Sequence, residues 1–312
     1  MARYLVTGGC GFIGSHLCSD LIKDGHEVVV FDDLSSGSLE NLAYGAEIVI
    51  GDIGDAKKLE RAIVGVDACF HLAAIASVQR GVQEWPLTHR VNLSGTIALL
   101  NAVRMKSVPV VYASSAAVYG SSTSLPLSED ENAKPISPYG ADKFGCEINA
   151  RVAGLLHNIP TLGLRFFNVF GPRQDPRSPY SGVISIFCDR LTRSEPLDVF
   201  GDGGQSRDFI YVKDVVATIK AGLAVASNAA PVLNVCSGRS TTVLDLAQVV
   251  AQLCDVPLSI RYHPARTGEV RHSLGDPARC AALLNIEATF DLKEGLAEVI
   301  AWMRSGRPGL AT

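Results

Sequence analysis

Little in this 312-residue sequence points to membranes, metals, disulfides or nucleic acid. No run of about 18 apolar residues occurs, which argues against a membrane span. The eight cysteines (10, 18, 69, 146, 188, 236, 254 and 280) include no CxxC pair. The seven histidines form no cluster with metal-ligand spacing. Reduced, buried thiols in a cytoplasmic protein without a metal are therefore expected. The net charge of −4 lacks the basic excess of a nucleic-acid partner, although local basic residues can still hold a small anion. Repeats, low-complexity tracts and obvious linkers are absent too. What is present is a 47% hydrophobic, 19% charged composition, suited to one large packed domain or two of ordinary size. The opening MARYLVTGG has one arginine and a short apolar run ending in glycines, and reads as a first strand rather than a signal peptide.

Short β-rich runs alternate with helical patterns through the first half. RYLVT, EVVVF, EIVIG, DACFHL and PVVYAS have strand length, while 12–24 and 87–106 carry helical periodicity. Such alternation predicts an α/β fold, a doubly wound parallel sheet covered on both faces. TLGLRFFNVFG reads as a sixth strand leading to the loop GPRQDPRSPYSG. Beyond it the expectation is a helix near 182–193, a strand pair around LDVFGDGGQSRDFIYV and a helix at 213–227. VLNVCSG reads as another sheet strand, followed by helices at about 242–254 and 291–305.

The stretch TGGCGFIGSHL places Gly8, Gly11 and Gly14 directly after the first strand and opens a helix with Phe12 and Ile13. Glycine lets the backbone turn tightly and approach a pyrophosphate, and the helix start supplies free N–H groups and a positive dipole end. Asp32 closes the second strand about 20 residues on, where a carboxylate accepts from the ribose hydroxyls. That acid repels a 2′-phosphate, so the cofactor expected is NAD rather than NADP. Asp52, in GDIGD after the third strand, sits where a carboxylate meets the adenine amino group, and Ile53 beside it is a further expected cofactor contact, although as a generic loop acid Asp52 would need no explanation.

Two further motifs carry chemistry. SSAAVYG puts Ser115 at the carboxyl end of the fifth strand, where open α/β sheets bind ligands. In SPYGADKFG, Tyr139 and Lys143 lie four apart on one face of a helix that starts after Pro138. A neighbouring ammonium favours phenolate over phenol and makes a tyrosine usable as a base.

With these residues in hand, the chain resembles the extended short-chain dehydrogenase/reductases, in particular their nucleotide-sugar epimerases and dehydratases. TGGCGFIG, FDDLSSG, HLAA, NLSGTIALLNA, SSAAVYG, YGADK, LRFFNVFGPRQDP, GDGGQSRDFIYVKDVV and RTGEVRHSLGD fall in that family's order. The resemblance implies a Rossmann domain over 1–170 plus about 207–237, and a smaller α/β nucleotide-sugar lobe from 171–206 and 238–312. It implies that Tyr139 takes the proton of the sugar C4 hydroxyl, that Ser115 hydrogen-bonds the same oxygen, and that Lys143 holds the nicotinamide ribose. Dehydrating and decarboxylating members carry Asp or Glu just before VYG. Here Ala116 and Ala117 leave only oxidation and re-reduction at C4, hence 4-epimerisation of a UDP-hexose. The alternative is an oxidoreductase, or another epimerase, acting on a different nucleotide sugar.

For the substrate, the resemblance assigns Asn168, Arg207 and Arg266 to the diphosphate, since guanidinium forks suit phosphate oxygens. Gly182, Val183 and Phe187 go to the uracil, and Ser77 and Gln174 to the sugar. Seven residues after Arg266 the family has a gate beside the C2 substituent. Ser273 stands there and is small, which implies acceptance of UDP-N-acetylglucosamine/galactosamine with UDP-glucose/galactose also used. A homodimer through segments 87–106 and 138–157 is also implied. Tyr119, His71, Arg271 and Cys10 read as structural.

Overall fold

The computed structural model describes residues 1–122, 124–176, 182–265 and 270–306. Strands β1 to β6 are Arg3–Thr7, Glu27–Asp32, Glu47–Ile50, Ala68–His71, Val110–Ser115 and Thr161–Phe166. Strands β7 to β12 are Asn168–Phe170, Leu197–Phe200, Ser206–Tyr211, Val232–Val235, Ser240–Thr242 and Ile260–His263. Helices α1 to α5 are Phe12–Lys23, Ala56–Ala62, Val78–Gln83, Trp85–His89 and Gly95–Val103, with a π-helical turn, Arg90–Ser94, joining the last two. Helices α6 to α11 are Pro138–His157, Val183–Thr192, Val212–Gly222, Val243–Cys254, Ala278–Leu284 and Leu292–Arg304.

Seven parallel strands form the central sheet in the order β10-β6-β5-β4-β1-β2-β3. This is a Rossmann-like doubly wound fold, and the order reverses between β1 and β4. Both faces are buried, which explains why the strands read as continuous apolar runs. Along β2, Val28 and Val30 enter one core while Val29 and Phe31 enter the other. The first core continues without a break from Leu17 of α1 and Val215 of α8 to Leu191, Leu246 and Leu296 of α7, α9 and α11. The segments around the sheet and those beyond it therefore share packed side chains.

Two strand expectations need correction. TLGLRFFNVFG is not one strand: β6 ends at Phe166, and β7 leaves the main sheet to pair with β9, Asn168 opposite Phe209. Nor do β8 and β9 pair with each other. Strand β8 pairs with β12, whereas β9 lies between β7 and β11 in a three-stranded sheet. The cause is the turn between them. Gly201 and Gly203 both take positive φ, and the Leu244 N–H at the start of α9 donates to the Gly203 carbonyl at 3.2 Å. The turn is thus tied to another element instead of closing a hairpin. Among the described residues no helix is long and apolar enough to cross a membrane.

Candidate active site

The carboxyl ends of β1, β2, β4, β5 and β6 open onto one cavity of about 840 Å³. Gly8, Gly11, Phe12, Ile13 and Gly14 form part of its wall. The turn they make has no room for side chains. A Cβ on Gly14 would stand 2.1 Å from the Gly8 carbonyl oxygen, and one on Gly8, whose φ is +72°, would stand 2.7 Å from the Ala73 nitrogen. Gly11 caps α1 with no side-chain bond to its first turn, so the N–H groups there remain available to an anion.

Asp32 is 7% exposed on the same wall. Its carboxylate accepts from the Cys10 N–H at 2.9 Å and the Leu34 N–H at 2.8 Å, which fixes both oxygens and leaves lone pairs for a diol. Burial raises its pKa against the pull of those two N–H groups. The same burial, with Asp32 beside it, pushes the Cys10 thiol up to about 12, so this cysteine fills space and is not a nucleophile.

Sequence reasoning missed Arg173. It lines the cavity with left-handed backbone (φ 68°), and its Nη1 is buried without a partner among the described residues. Burial lowers its pKa. The preceding residues pack on α1: His16 Nε2 meets the Pro172 carbonyl at 3.0 Å, and Gly171 lies against Phe12. A buried guanidinium nitrogen without a partner is costly. A diphosphate seated on the first turn of α1 supplies one, so this wall fits a dinucleotide. The only signal available in sequence was an arginine inside GPRQDP, and its burial depends on packing against residues some 160 positions away.

Ser115, Tyr139 and Lys143 converge on the same cavity. Ser115 Oγ accepts from the Ala117 N–H at 3.1 Å, capping the short helix 116–119, and so keeps its own proton to donate. Gly140 brings α6 against that helix: a Cβ there would lie 2.5 Å from the Ala117 carbonyl oxygen. Ser137 caps α6 and Pro138 occupies its first turn, which places Tyr139 at the open end. Lys143 is 5% exposed, donates to the Ala113 carbonyl at 2.9 Å, and holds Nζ 5.9 Å from the centre of the Tyr139 ring.

Beneath this trio lies a buried polar network. Glu147, one turn after Lys143, accepts from Ser114 Oγ at 2.5 Å and forms a two-point pair with Arg165 at 2.9 and 2.7 Å. Arg165 also donates to Tyr119 Oη, which in turn donates to Asn234 Oδ1 at 2.6 Å. Tyr119 is thereby structural, and burial pushes its pKa up to about 12. His71 is buried between Thr7 and Thr96, with its pKa lowered to about 3, first by burial and then by Lys143. Arg271 is an exposed partner of Asp202.

Ile53, Ser77, Gln174 and Gly182 also line the cavity. Other expected contacts do not. Asp52 is turned to Arg90, whose Nη1 donates to both of its oxygens at 3.0 and 2.9 Å. Asn168 is exposed in β7, beside the cavity residue Val169. Val183 begins α7, and Phe187 is only 2% exposed within the main core, too enclosed to meet a base. Arg207 donates to the carbonyls of Ser206 and Arg271. Ser273 is half-buried and its N–H donates to the Ser206 carbonyl at 3.1 Å, tying it to β9. Arg266 lies outside the described residues. Among the described residues no group of three His, Cys, Asp or Glu could hold a metal.

A model of the NAD dependent epimerase/dehydratase family matches residues 4–236. A UDP-glucose 4-epimerase of Mycolicibacterium smegmatis is 38% identical over 97% of this chain and 99% of its own. The structure of UDP-glucose 4-epimerase with UDP-glucose from Thermotoga maritima superposes with a TM-score of 0.94 at 36% identity, covering 97% of this chain and 99% of that one. UDP-N-acetylglucosamine 4-epimerase of Methanobrevibacter ruminantium, in complex with UDP-N-acetylmuramic acid, gives 0.93 at 36%, covering 98% and 99%.

Proposed function

The chain belongs to the NAD-dependent epimerase/dehydratase family, and on that premise we propose that it inverts C4 of a UDP-hexose through a transient 4-keto-sugar. The observation that carries this reading is the convergence of Ser115, Tyr139 and Lys143 on a cavity that also holds the glycine cradle, with Ala116 and Ala117 in place of any further acid or base. Bound NAD supplies a reversible hydride acceptor there. Tyr139 Oη takes the proton of the C4 hydroxyl as general base and returns it when the ketone is reduced. Ser115 donates to the same oxygen and steadies its developing charge. The Lys143 ammonium, fixed by the Ala113 carbonyl, lies 5.9 Å from the centre of the Tyr139 ring and is the group that would hold the nicotinamide ribose. Alanine at 116 and 117 puts no acid or base at these two positions to remove a proton elsewhere on the ring, so in this reading the keto-sugar turns over and is reduced again.

Glycines 8, 11 and 14 with Phe12, Ile13, Asp32, Ile53 and Lys143 are the proposed cofactor contacts. Ser77, Asn168, Gln174, Gly182, Val183, Arg207 and Arg266 are those for the nucleotide sugar. The small Ser273 supports use of UDP-N-acetylglucosamine/galactosamine as well as UDP-glucose/galactose. The test is to incubate the purified protein with each UDP-sugar, without added NAD, and separate the products. C4 epimers support the reading; stoichiometric reduction of added cofactor, without epimers, points to net oxidoreduction instead.

We also infer a homodimer. On α6, Ile148, Val152 and Leu155 are 50%, 44% and 70% exposed at a spacing of four and three, with Leu156 at 69% beside them. Ile97 of α5 adds 43%. This apolar stripe has the spacing of a helix-packing seam, and a second copy of the same face covers it. Sedimentation mass reads the outcome directly: a monomeric wild type, or a dimer unchanged by Val152→Glu with Leu155→Glu, discards this surface.

A further inference from the structure

Three residues proposed for the nucleotide sugar come from separate stretches of chain, and one buried carboxylate stands where those stretches meet. Asn168 lies on β7, opposite Phe209 of β9, Arg207 lies on β9 itself, and Ser273 lies in the segment 271–275. That segment runs beside β9. The Ser206 N–H donates to the Arg271 carbonyl at 2.9 Å, and the Ser273 N–H donates back to the Ser206 carbonyl at 3.1 Å. Asp208, next to Arg207, is fully buried. Its Oδ1 accepts from the N–H and the hydroxyl of Ser237, both at 2.7 Å, just beyond β10 of the central sheet. Its Oδ2 accepts from the Gly238 N–H at 3.0 Å and the Gly275 N–H at 3.2 Å. One side chain thus joins the edge strand of the central sheet, β9 and the segment that carries Ser273.

All four bonds come from N–H or O–H donors, two to each oxygen, which an ionised carboxylate alone can accept in full. Gly275 has no slack on its other side. A Cβ there would stand 2.6 Å from Cys236 Sγ and 2.7 Å from Cζ of Phe167, a residue of the cavity wall. The place of Ser273 is therefore fixed at two points, by Ser206 through its own N–H and by Asp208 two residues on. We propose that Asp208 is the positioning residue of the nucleotide-sugar site, setting where Ser273 stands relative to Arg207. It thereby sets the room left for the C2 substituent of the sugar. Being fully buried, Asp208 does not meet the sugar itself and acts through these neighbours.

This inference rests on the proposed nucleotide-sugar reading, so the test measures cofactor, nucleotide and sugar separately. Wild type, Asp208→Asn and Ser237→Ala are compared for retained NAD and for kcat. Titration calorimetry on the NAD-loaded proteins gives their affinities for UDP, UDP-N-acetylglucosamine and UDP-glucose, and thermal midpoints check folding. Asparagine turns one acceptor into a donor, so in either amide orientation at least one of the four donors loses its partner. Asp208→Asn should keep its NAD and bind UDP-sugars roughly tenfold more weakly, the scale of one buried group left unpaired. Its kcat should stay within about threefold, since the proton and hydride groups are untouched. The ratio of the two sugar affinities should shift by more than about threefold, because Ser273 meets only the C2 substituent. Ser237→Ala keeps the carboxylate but removes one bond, and should shift that ratio the same way by less. Two results overturn the proposal: an unchanged sugar ratio in folded Asp208→Asn, or loss of NAD together with UDP. If Asp208→Asn does not fold, an unchanged ratio in folded Ser237→Ala overturns it equally. A wild type that binds neither UDP nor either sugar nucleotide would remove the nucleotide-sugar reading itself.

Discussion

Single residues divide by how locally their roles are encoded. The glycines and the Tyr139–Lys143 pair were legible because each motif needs only its neighbours in the chain, a tight turn or one helical turn. Arg173 was not, since its place on the cavity wall follows from Pro172 and Gly171 packing on His16 and Phe12, far away in the chain. The two kinds predict different phenotypes. Tyr139→Phe removes the proton acceptor but little of the binding surface, so kcat should fall by about 10²- to 10⁴-fold while UDP-sugar affinity stays near wild type. Paired turnover and calorimetric measurements check this; a variant keeping more than half its turnover would discard Tyr139 as the base. Arg173→Met should instead weaken NAD binding, with the nucleotide-free protein as stable as wild type or more so. The substitution removes a charge whose buried Nη1 has no partner among the described residues. Loss of stability without loss of affinity would reverse that assignment.

At the scale of elements, the strands of the central sheet could be read from their apolar runs because both sheet faces are buried. Periodicity could not say which strands pair, and the β8–β9 error shows why: register there is decided by a glycine turn bound to α9, a contact between distant segments. Nor could it place the π-helical turn inside the 87–106 segment. The joint between β5, β6 and α6 was equally invisible. Glu147 ties all three, through Ser114 on β5 and Arg165 on β6, and its side chain and that of Arg165 are 7% and 5% exposed. Glu147→Leu leaves a buried guanidinium without its carboxylate and should cost about 3–5 kcal/mol in denaturant unfolding. Adding Arg165→Met should recover much of that loss, because the double replacement removes both charges. A single-variant cost below about 1 kcal/mol, or a double variant worse than the sum, would mean that the pair does not carry this joint.

For the whole molecule, the stability of the fold against acid is set in part by histidines that the sequence offered only as dispersed residues. His71 lies in a complete chain of donors. Thr96 Oγ1 donates to the Asn92 carbonyl at 2.6 Å, so it accepts from His71 Nε2–H, and Nδ1 is left to accept from Thr7 Oγ1 at 2.7 Å. That network suits the neutral ring. Burial, then Lys143, lowers its pKa from 6.5 to about 3. His16 is lowered to about 4, by burial first, against its bond to the Pro172 carbonyl. Both folded values lie below the unfolded one, so the unfolded chain binds more protons as pH falls through 6.5. The stability linked to each ring is therefore complete above about pH 6.5 and is lost on acidification, until the folded protein itself takes up protons near pH 4 and pH 3. Within that window each histidine steepens the loss by up to about 1.4 kcal/mol per pH unit. Unfolding free energies measured between pH 6.5 and 4.5 should accordingly fall with pH, and His71→Gln should show a shallower slope than wild type whatever its absolute stability. An identical slope in the two proteins would show that the ring is protonated in the fold, and the neutral hydrogen-bond chain from Thr7 to Asn92 would then have to be redrawn.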